Sequence, residues 1–519
     1  MKAEPDARSD AHAAIILALV SLIVLHAIWQ GWLVVAAPYP AHYDFDEGVY
    51  AQTAAASLAG GRLYKAIFLS QPPFYIGVLA HAFGAFGRSL RSARGTAVGF
   101  SVLWLAGLAA IAARAAGMRA AVWAVAIAAS ASAFILASHT VQMEGPGEAV
   151  AALAVATGFA AAARVRAGAH STAAAWWAAA GLAAGVAATT KFTALTCLLP
   201  LAVALTMSGA RVSGRTTAMH GALFAAAAAL GAGAAILWSG GLSTEIWRQT
   251  VTFHGAVAGV NPFDPGRSGS LLAAFGAANW FITMLGLVGL VSAVLPVRVG
   301  RSESNSIAPT HAAAVVPRRA LVVWLIADLA ALLLWRPVWP HHLVIFITPL
   351  AALGAAAVEI VLEFGNRPGV ECGGRACAPP LRRWRPRVIA GVLVAAWLVG
   401  AGAALAAARP EGSETLRAAA AEIRWAVPSA ARVVADDPFI AFLAGRDAPE
   451  ALCDTSEMRL RAGWLTVATL RAAIRDPRVR GIVLWRGTFR QMVPAFVDDA
   501  LDHFPQRWTF GADRQILAR

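Results

Sequence analysis

Charged side chains are scarce in this chain: they make up 14% of its 519 residues, against roughly 25% in a soluble domain. Lysine is almost missing, occurring only as Lys2, Lys65 and Lys191. The four cysteines, Cys197, Cys372, Cys377 and Cys453, are too few and too scattered for a disulfide framework. Cys372 and Cys377 have no histidine near them, which argues against a zinc site. There is no GxGxxG or P-loop, so no nucleotide is assigned. A cleavable signal peptide is also missing. The first apolar run is too long and is preceded by Glu4, Asp6 and Asp10, so it is expected to stay as an anchor.

Hydrophobic residues fill the space, at 58% of the chain with a mean hydropathy of +0.61. This is the composition of a membrane protein. Of the charge behind the net +14, residues 1–408 carry 27 basic and 15 acidic side chains and residues 409–519 carry 16 and 14. The basic excess lies in the membrane part, where it reports topology, and nucleic acid drops out as a partner.

Apolar windows of about 20 residues fall at 13–36, 92–113, 119–138, 145–163, 173–189, 191–208, 218–239, 272–296, 319–335, 341–362 and 388–408, which predicts about 11 spans. With the N-terminus cytoplasmic, the inner loops hold Arg114 and Arg119, Arg164 and Arg166, Arg211 and Arg215, Arg298, Arg301, Arg318 and Arg319, and a group from Arg367 to Arg387. Every inner loop is then basic, as the positive-inside rule requires. The apolar stretch from Pro72 to Gly87 is too short to span and is expected to lie in the outer interface.

From about Glu411 the composition turns soluble. Residues 409–519 are read as a small extracytoplasmic α/β domain, with strands at Ala431–Asp436 and Gly481–Trp485 running parallel, helices at Leu465–Ile474 and Val493–Phe504, and a closing strand or hairpin at Gln506–Leu517.

Three clusters could carry chemistry, all on the outer side. The first is His42-Tyr43-Asp44-Phe45-Asp46-Glu47-Gly48-Val49-Tyr50. Asp44 suits the N-cap of a helix from Phe45, and Asp46 or Glu47, partly desolvated, suits a general base or a ligand for a divalent cation. The second holds Glu144 and Glu148, spaced to share a helix face; a carboxylate inside apolar sequence is a site candidate. The third is cationic: Arg88, Arg91, Arg94, Lys191, Arg248, Arg336 and the pair His341-His342, a set that suits phosphate. On an α-helix the two histidines would point about 100° apart.

The order of these pieces resembles the polyprenyl-phosphate-sugar-dependent glycosyltransferases of the GT-C fold, in particular bacterial relatives of protein O-mannosyltransferase and lipid A aminoarabinose transferase. The resemblance runs over roughly residues 10–410. It rests on Asp46-Glu47 followed by Tyr50, on Ser57 to Tyr64, on Gln71-Pro72-Pro73 opening an interfacial helix, on Gly87 to Arg94, on Glu144, on Gly181 to Lys191, and on Pro340-His341-His342 with Pro349-Leu350. It departs at Gln71, which is uncharged where some relatives carry Lys or His.

The resemblance implies a multi-pass inner-membrane glycosyltransferase, residues 1–408, that moves a sugar with inversion from a polyprenyl-phosphate donor to a lipid, glycan or protein acceptor. Asp46 is then expected as the general base, Glu47 and Glu144 as positioning groups for acceptor or sugar, and Arg94, Lys191 and His341 or His342 as phosphate contacts. Asp44, Tyr50 and Gln71 complete the expected substrate-binding set. A divalent cation, Mg²⁺ or Mn²⁺, could be held by Asp44, Asp46 and Glu144, although no metal site is assigned. The alternative is a transporter or flippase of lipid-linked sugars, which would show inverted repeats and broken helices in two matching halves; neither is found in the sequence.

Overall fold

The computed structural model describes residues 7–36, 44–209, 212–295, 308–366, 385–407, 413–511 and 513–519. His42, Tyr43, Cys372, Cys377 and the expected domain boundary at 408 lie outside the described residues. The chain opens with α1 (Ala7–Ala36), followed by α2 (Phe45–Leu58), α3 (Phe74–Phe86), α4 (Leu90–Ala116), α5 (Met118–Ala129), α6 (Ser132–His139), α7 (Glu144–Arg166), α8 (His170–Ala188), α9 (Leu198–Gly209) and α10 (Gly214–Trp238). The short α11 (Glu245–Trp247) leads through a π-helical turn into α12 (Phe253–Val260), and then come α13 (Pro265–Ala278), α14 (Trp280–Val294), α15 (Ala308–Leu334), α16 (Ile347–Asn366) and α17 (Arg385–Ala407).

Among the described residues, seven helices are long and apolar enough to cross a membrane, or up to nine if each of two bent pairs counts as one span. The windows expected at 319–335 and 388–408 are occupied by α15 and α17. Two expected spans are broken. Windows 119–138 and 272–296 become α5 with α6, bent by 78°, and α13 with α14, bent by 101°. The two breaks meet, which accounts for both: the Asn279 side-chain oxygen accepts from the Ala133 amide and the Ser132 hydroxyl, each at 3.1 Å, so it caps the start of α6. Helix α3 has 13 residues and is about 20 Å long, well short of the hydrocarbon core.

Small residues let the bundle close. A β-carbon added at Gly181 or Gly185 would run into the α10 backbone at Phe224 and Ala228, and one added at Gly289 would run into Leu353 of α16. These are the small-residue contacts by which helices associate in lipid, where no hydrophobic force separates helix from solvent.

Residues 413–519 carry α18 (Ser413–Ala426), β1 (Arg432–Ala435), α19 (Pro438–Leu443), α20 (Glu457–Arg461), α21 (Val467–Arg475), β2 (Val479–Leu484), α22 (Thr488–Met492), α23 (Pro494–His503), β3 (Gln506–Thr509) and β4 (Gln515–Ala518). The sheet order is β1-β2-β4-β3, with β1 and β2 parallel and the β3-β4 hairpin antiparallel. Alternation along the strands gives the sheet two apolar faces. Val434, Ile482, Leu484 and Leu517 pack under α21 and α23, while Val433, Ala435, Val483, Ile516 and Ala518 join one core with α2 and α3. The C-terminal region and the site-bearing helix α2 therefore share a core. They approach so closely that a β-carbon at Gly48 would fall on the Phe439 backbone.

Candidate functional site

A recess of about 620 Å³, open mouth included, lies where α2, α12, the 335–342 segment and residues 454–458 converge. Asp46 and Tyr50 line it from α2, Gln71 from the loop before α3, Lys191 from the end of α8, and Arg336, His341 and His342 from the segment before α16.

Local sequence sets each placement. Asp44 caps α2 as expected, its Oδ1 accepting from the Asp46 amide at 2.9 Å. One helical turn puts Tyr50 under Asp46, and the phenol donates to Asp46 Oδ2 at 3.3 Å. The loop to α3 turns at Gly60, whose φ of +96° favours glycine. Gln249 then stitches it from outside, donating to the Tyr64 carbonyl at 2.8 Å and accepting from the Leu69 amide at 3.0 Å. Within the loop, the Tyr64 hydroxyl donates to the Gln71 carbonyl at 2.7 Å. His254 Nδ1–H donates to the Thr250 carbonyl at 2.8 Å, which leaves Nε2 facing the Gln71 amide at 3.5 Å.

Three carboxylates converge on His341. Its Nδ1 is 3.1 Å from Asp44 Oδ2, and its Nε2 is 3.9 Å from both Asp46 Oδ2 and Glu144 Oε1. Glu144 is fully buried and pairs with buried Lys191 at 2.8 Å, so Lys191 does not snorkel to the surface. His342 Nε2 lies 3.8 Å from the same Glu144 oxygen. The two histidines thus reach one carboxylate although they are neighbours on a 3₁₀ helix, Pro340–Phe346, where His342 Nδ1 accepts from the Trp339 amide at 3.2 Å.

Electrostatics separate the two aspartates. Burial in the recess pushes the Asp46 carboxyl up to about 7, with the Asp44 charge adding to it against the pull of His341 and Lys191. Burial also pushes Asp44 upward, but the His341 hydrogen bond and charge and the Asp46 amide outweigh it and hold Asp44 below the usual carboxylate range. Burial, then the Asp46 charge, keeps the Tyr50 phenol well above its ordinary value. Burial lowers His254 to about 4, leaving it neutral.

Four expected site residues do not line the recess: Asp44 and Glu144, which stand behind His341, and Glu47 and Arg94. Arg94 Nε and Nη2 donate to the two Glu47 oxygens at 2.9 and 2.7 Å, the Val141 amide donates to Glu47 Oε2 at 3.0 Å, and both side chains are almost wholly buried. The pair fastens α2 to α4 and the 140–143 turn. Glu148 also lies off the recess, buried one turn further into α7 than Glu144. Of the remaining cations, Arg88 is taken up by Asp447 and Arg248 by Glu245.

Arg336 stays available. It is exposed at the recess, rests over the Phe263 ring, and among the described residues has no carboxylate within ion-pair distance. His254 and Asp454 also line the recess. The sequence offered a signal only for Arg336, which stands beside Pro337-Val338-Trp339-Pro340 ahead of the histidines.

Two donor sets have metal-binding geometry: Asp44, Asp46 and His341, and Glu144, His341 and His342, each with ligand atoms within 4.8 Å of one another. The first fits a divalent ion, with two carboxylates and an imidazole, of which Asp46 and His341 line the recess. The second does not, because the Lys191 ammonium already sits on Glu144 and would repel a cation.

No protein-family model matches the sequence, and no curated protein matches it. Solved structures do. Lipid A aminoarabinose transferase (ArnT) from Cupriavidus metallidurans, bound to undecaprenyl phosphate, superposes with a TM-score of 0.64 at 16% identity, over 96% of this chain and 97% of that one. The oligosaccharyltransferase AglB from Archaeoglobus fulgidus, with an inhibitory peptide and a dolichol-phosphate, superposes with a TM-score of 0.58 at 14% identity, over 90% and 69%. The same oligosaccharyltransferase in complex with Zn and sulfate gives 0.50 at 14% identity, over 89% and 67%. The coarse part of the expected architecture is found: the chain is a largely helical, multi-pass membrane protein with the GT-C fold of these transferases, with seven to nine candidate spans among the described residues in place of the expected 11.

Proposed function

We propose that this protein is a membrane glycosyltransferase that moves a sugar from a polyprenyl-phosphate donor to a hydroxyl of a lipid, glycan or protein acceptor on the outer side of the membrane, with Asp46 as general base. The observation that carries this reading is the Asp46 carboxylate, held by Tyr50 at 3.3 Å on the wall of a recess that also holds Lys191 and Arg336, and burial pushes it up to about 7. A base with its pKa near the working pH is ionised often enough to accept a proton and still basic enough to draw it.

In the reaction the acceptor oxygen attacks the anomeric carbon as its proton passes to Asp46. The bond from the anomeric carbon to the phosphate oxygen breaks, its electron pair leaves with the phosphate, and the configuration inverts. The charge of Lys191 is already shared with Glu144, so Arg336 is the cation free to meet the leaving phosphate. Tyr50 and Asp44 fix the orientation of Asp46, and Glu47 and Arg94 fix the helix that carries it. A divalent ion held by Asp44, Asp46 and His341 would supply further positive charge beside the phosphate. In this reading the N-terminus is cytoplasmic and the C-terminal region lies outside, which the basic inner loops of the sequence support. The neighbours crystallised with undecaprenyl phosphate and a dolichol-phosphate support a lipid phosphate as the leaving group.

The test is release of free polyprenyl phosphate from a panel of polyprenyl-phosphate sugars by the purified protein, with Asp46→Asn and EDTA as parallel arms. The expected result is turnover that falls at least ~100-fold in the variant. Folded Asp46→Asn protein with wild-type turnover removes Asp46 from the role. Turnover lost in EDTA and restored by Mg²⁺ or Mn²⁺ makes the ion part of the site.

A further inference from the structure

One wall of the recess comes from the C-terminal region, through Asp454, Ser456 and Met458. Asp454 is 5% exposed. Its Oδ1 accepts from the Ser456 amide at 2.8 Å, closing a tight turn. Arg459 grips that turn by its main chain, donating to the Ala451 carbonyl at 2.9 Å and to the Asp454 carbonyl. The guanidinium of Arg459 lies 4.0 Å over the ring of Phe68. Phe68 in turn packs with Phe253 and Val257 against Met458 and Trp464, and Asn261 donates to the Met458 sulfur at 3.4 Å. The turn is thus clamped between the C-terminal region and α12. Asp454 is also close enough to Tyr50 to act on its phenol electrostatically, and Tyr50 bonds Asp46.

A turn of this kind does not need a charge. Asparagine accepts the same amide hydrogen bond, and a carboxylate buried without a partner is costly. Among the described residues no cation stands within ion-pair distance of this carboxylate, and Arg459 is spent on main-chain carbonyls. Among the described residues its Oδ2 has no hydrogen-bond partner, and the recess is the space that Asp454 borders. Sugar hydroxyls are the donors that a glycosyl-transfer recess would bring there, and hydrogen bonds to an ionised acceptor are roughly twice as strong as neutral ones.

We infer that Asp454 binds the hydroxyls of the transferred sugar in the donor and that Arg459 is the positioning residue that holds it at the recess. The inference rests on the reading above and makes the C-terminal region part of the sugar site.

Equilibrium binding of undecaprenyl phosphate and of its hexosyl and pentosyl esters to the full-length protein tests it, with Asp454→Asn, Asp454→Ala and Arg459→Lys compared with wild type and KM measured for donor and acceptor. Asp454→Asn keeps the turn and is the decisive variant. It is expected to bind the preferred sugar ester about ten- to a hundred-fold more weakly, to bind the sugar-free lipid unchanged, and to raise KM for donor but not for acceptor. Arg459→Lys is expected to shift the same quantities in the same direction.

An Asp454→Asn protein equal to wild type reduces Asp454 to a turn residue and overturns the inference. A rise in acceptor KM alone overturns the donor assignment. Wild-type protein that binds sugar-bearing and sugar-free lipid equally, with normal turnover, overturns the sugar site and leaves the glycosyltransferase reading standing. Protein that binds none of these lipids overturns both.

Discussion

Breaking the Glu47–Arg94 pair should cost stability, and removing it whole should return most of that stability. The two side chains are 0% and 3% exposed and share two hydrogen bonds. Arg94→Met leaves the Glu47 carboxylate buried with only the Val141 amide as a donor, and loss of one partner from a buried pair costs about 3–5 kcal/mol. Glu47→Gln alone leaves the guanidinium facing an amide and should cost a similar amount. In the double variant no charge is buried, and the glutamine oxygen can still accept from Val141. Its stability should then lie within about 1–2 kcal/mol of wild type, since well-packed neutral replacements for buried pairs are often near neutral. A double-mutant cycle on denaturation midpoints of the detergent-purified protein reads the coupling, with donor KM measured alongside. If Arg94 met the phosphate, the double variant would be stable yet lose donor binding. That result, or single variants as stable as wild type, would refute the structural role given to the pair.

The pH profile offers a second check. With Asp46 raised to about 7 by burial and by Asp44, the base is protonated and idle below that value, so kcat/KM should rise about tenfold per pH unit up to about 7 and then level off. Asp44→Asn keeps the N-cap but removes a repelling charge, so the midpoint should move down; an unmoved midpoint would detach the titration from Asp46. Arg336→Met should raise the donor KM roughly ten-fold or more, the worth of a charge-assisted hydrogen bond to phosphate, in protein of wild-type stability, and an unchanged KM would return phosphate binding to Lys191. Gly48→Ala, whose β-carbon would fall on the Phe439 backbone, should loosen the C-terminal region from α2. Limited proteolysis at wild-type rates would show that the contact can yield.

The order of apolar runs and charged clusters carried the fold, because span length and motif sequence are one-dimensional signals. The parallel strands and closing hairpin of the C-terminal region were readable for the same reason: alternation and turn residues are local. What failed was pairing. Glu47 follows Asp46 in sequence, yet one residue is a 100° turn of the helix, so when Asp46 and Tyr50 share the recess face Glu47 must look elsewhere. The sequence held that signal. It did not hold the partner, since nothing local connects Glu47 with Arg94. The breaks at 129–132 and 278–280 were hidden because hydropathy does not distinguish a straight span from a bent one; only the contact of Asn279 with Ser132 and Ala133 explains them. Asp454 was invisible for a stronger reason: it reaches the recess only through the fold of a region more than 400 residues away from Asp46.

That distance bears on how the site is kept in register. Asp46 needs to stay within hydrogen-bond reach of Tyr50 and near His341, a tolerance of about 0.5 Å in functional sites generally. Yet α2 belongs to no membrane span and is only 14 residues long. It is held on one side by the Glu47–Arg94 pair, and on the other by the Gln52 amide, which donates to the Arg446 carbonyl at 2.9 Å and accepts from the Ala448 amide at 3.3 Å. The apolar core shared with β1, β2 and β4 fills the rest. Remove the C-terminal region and α2 loses that core face and both Gln52 contacts, while Glu47–Arg94 remains. The helix would then keep only Glu47–Arg94, the Asp44–His341 contact and its packing on α3, and the carboxyl that depends on burial for its raised pKa would lose one wall of that burial. On the proposed mechanism the C-terminal region therefore helps to hold the base, together with the residues that touch Asp46.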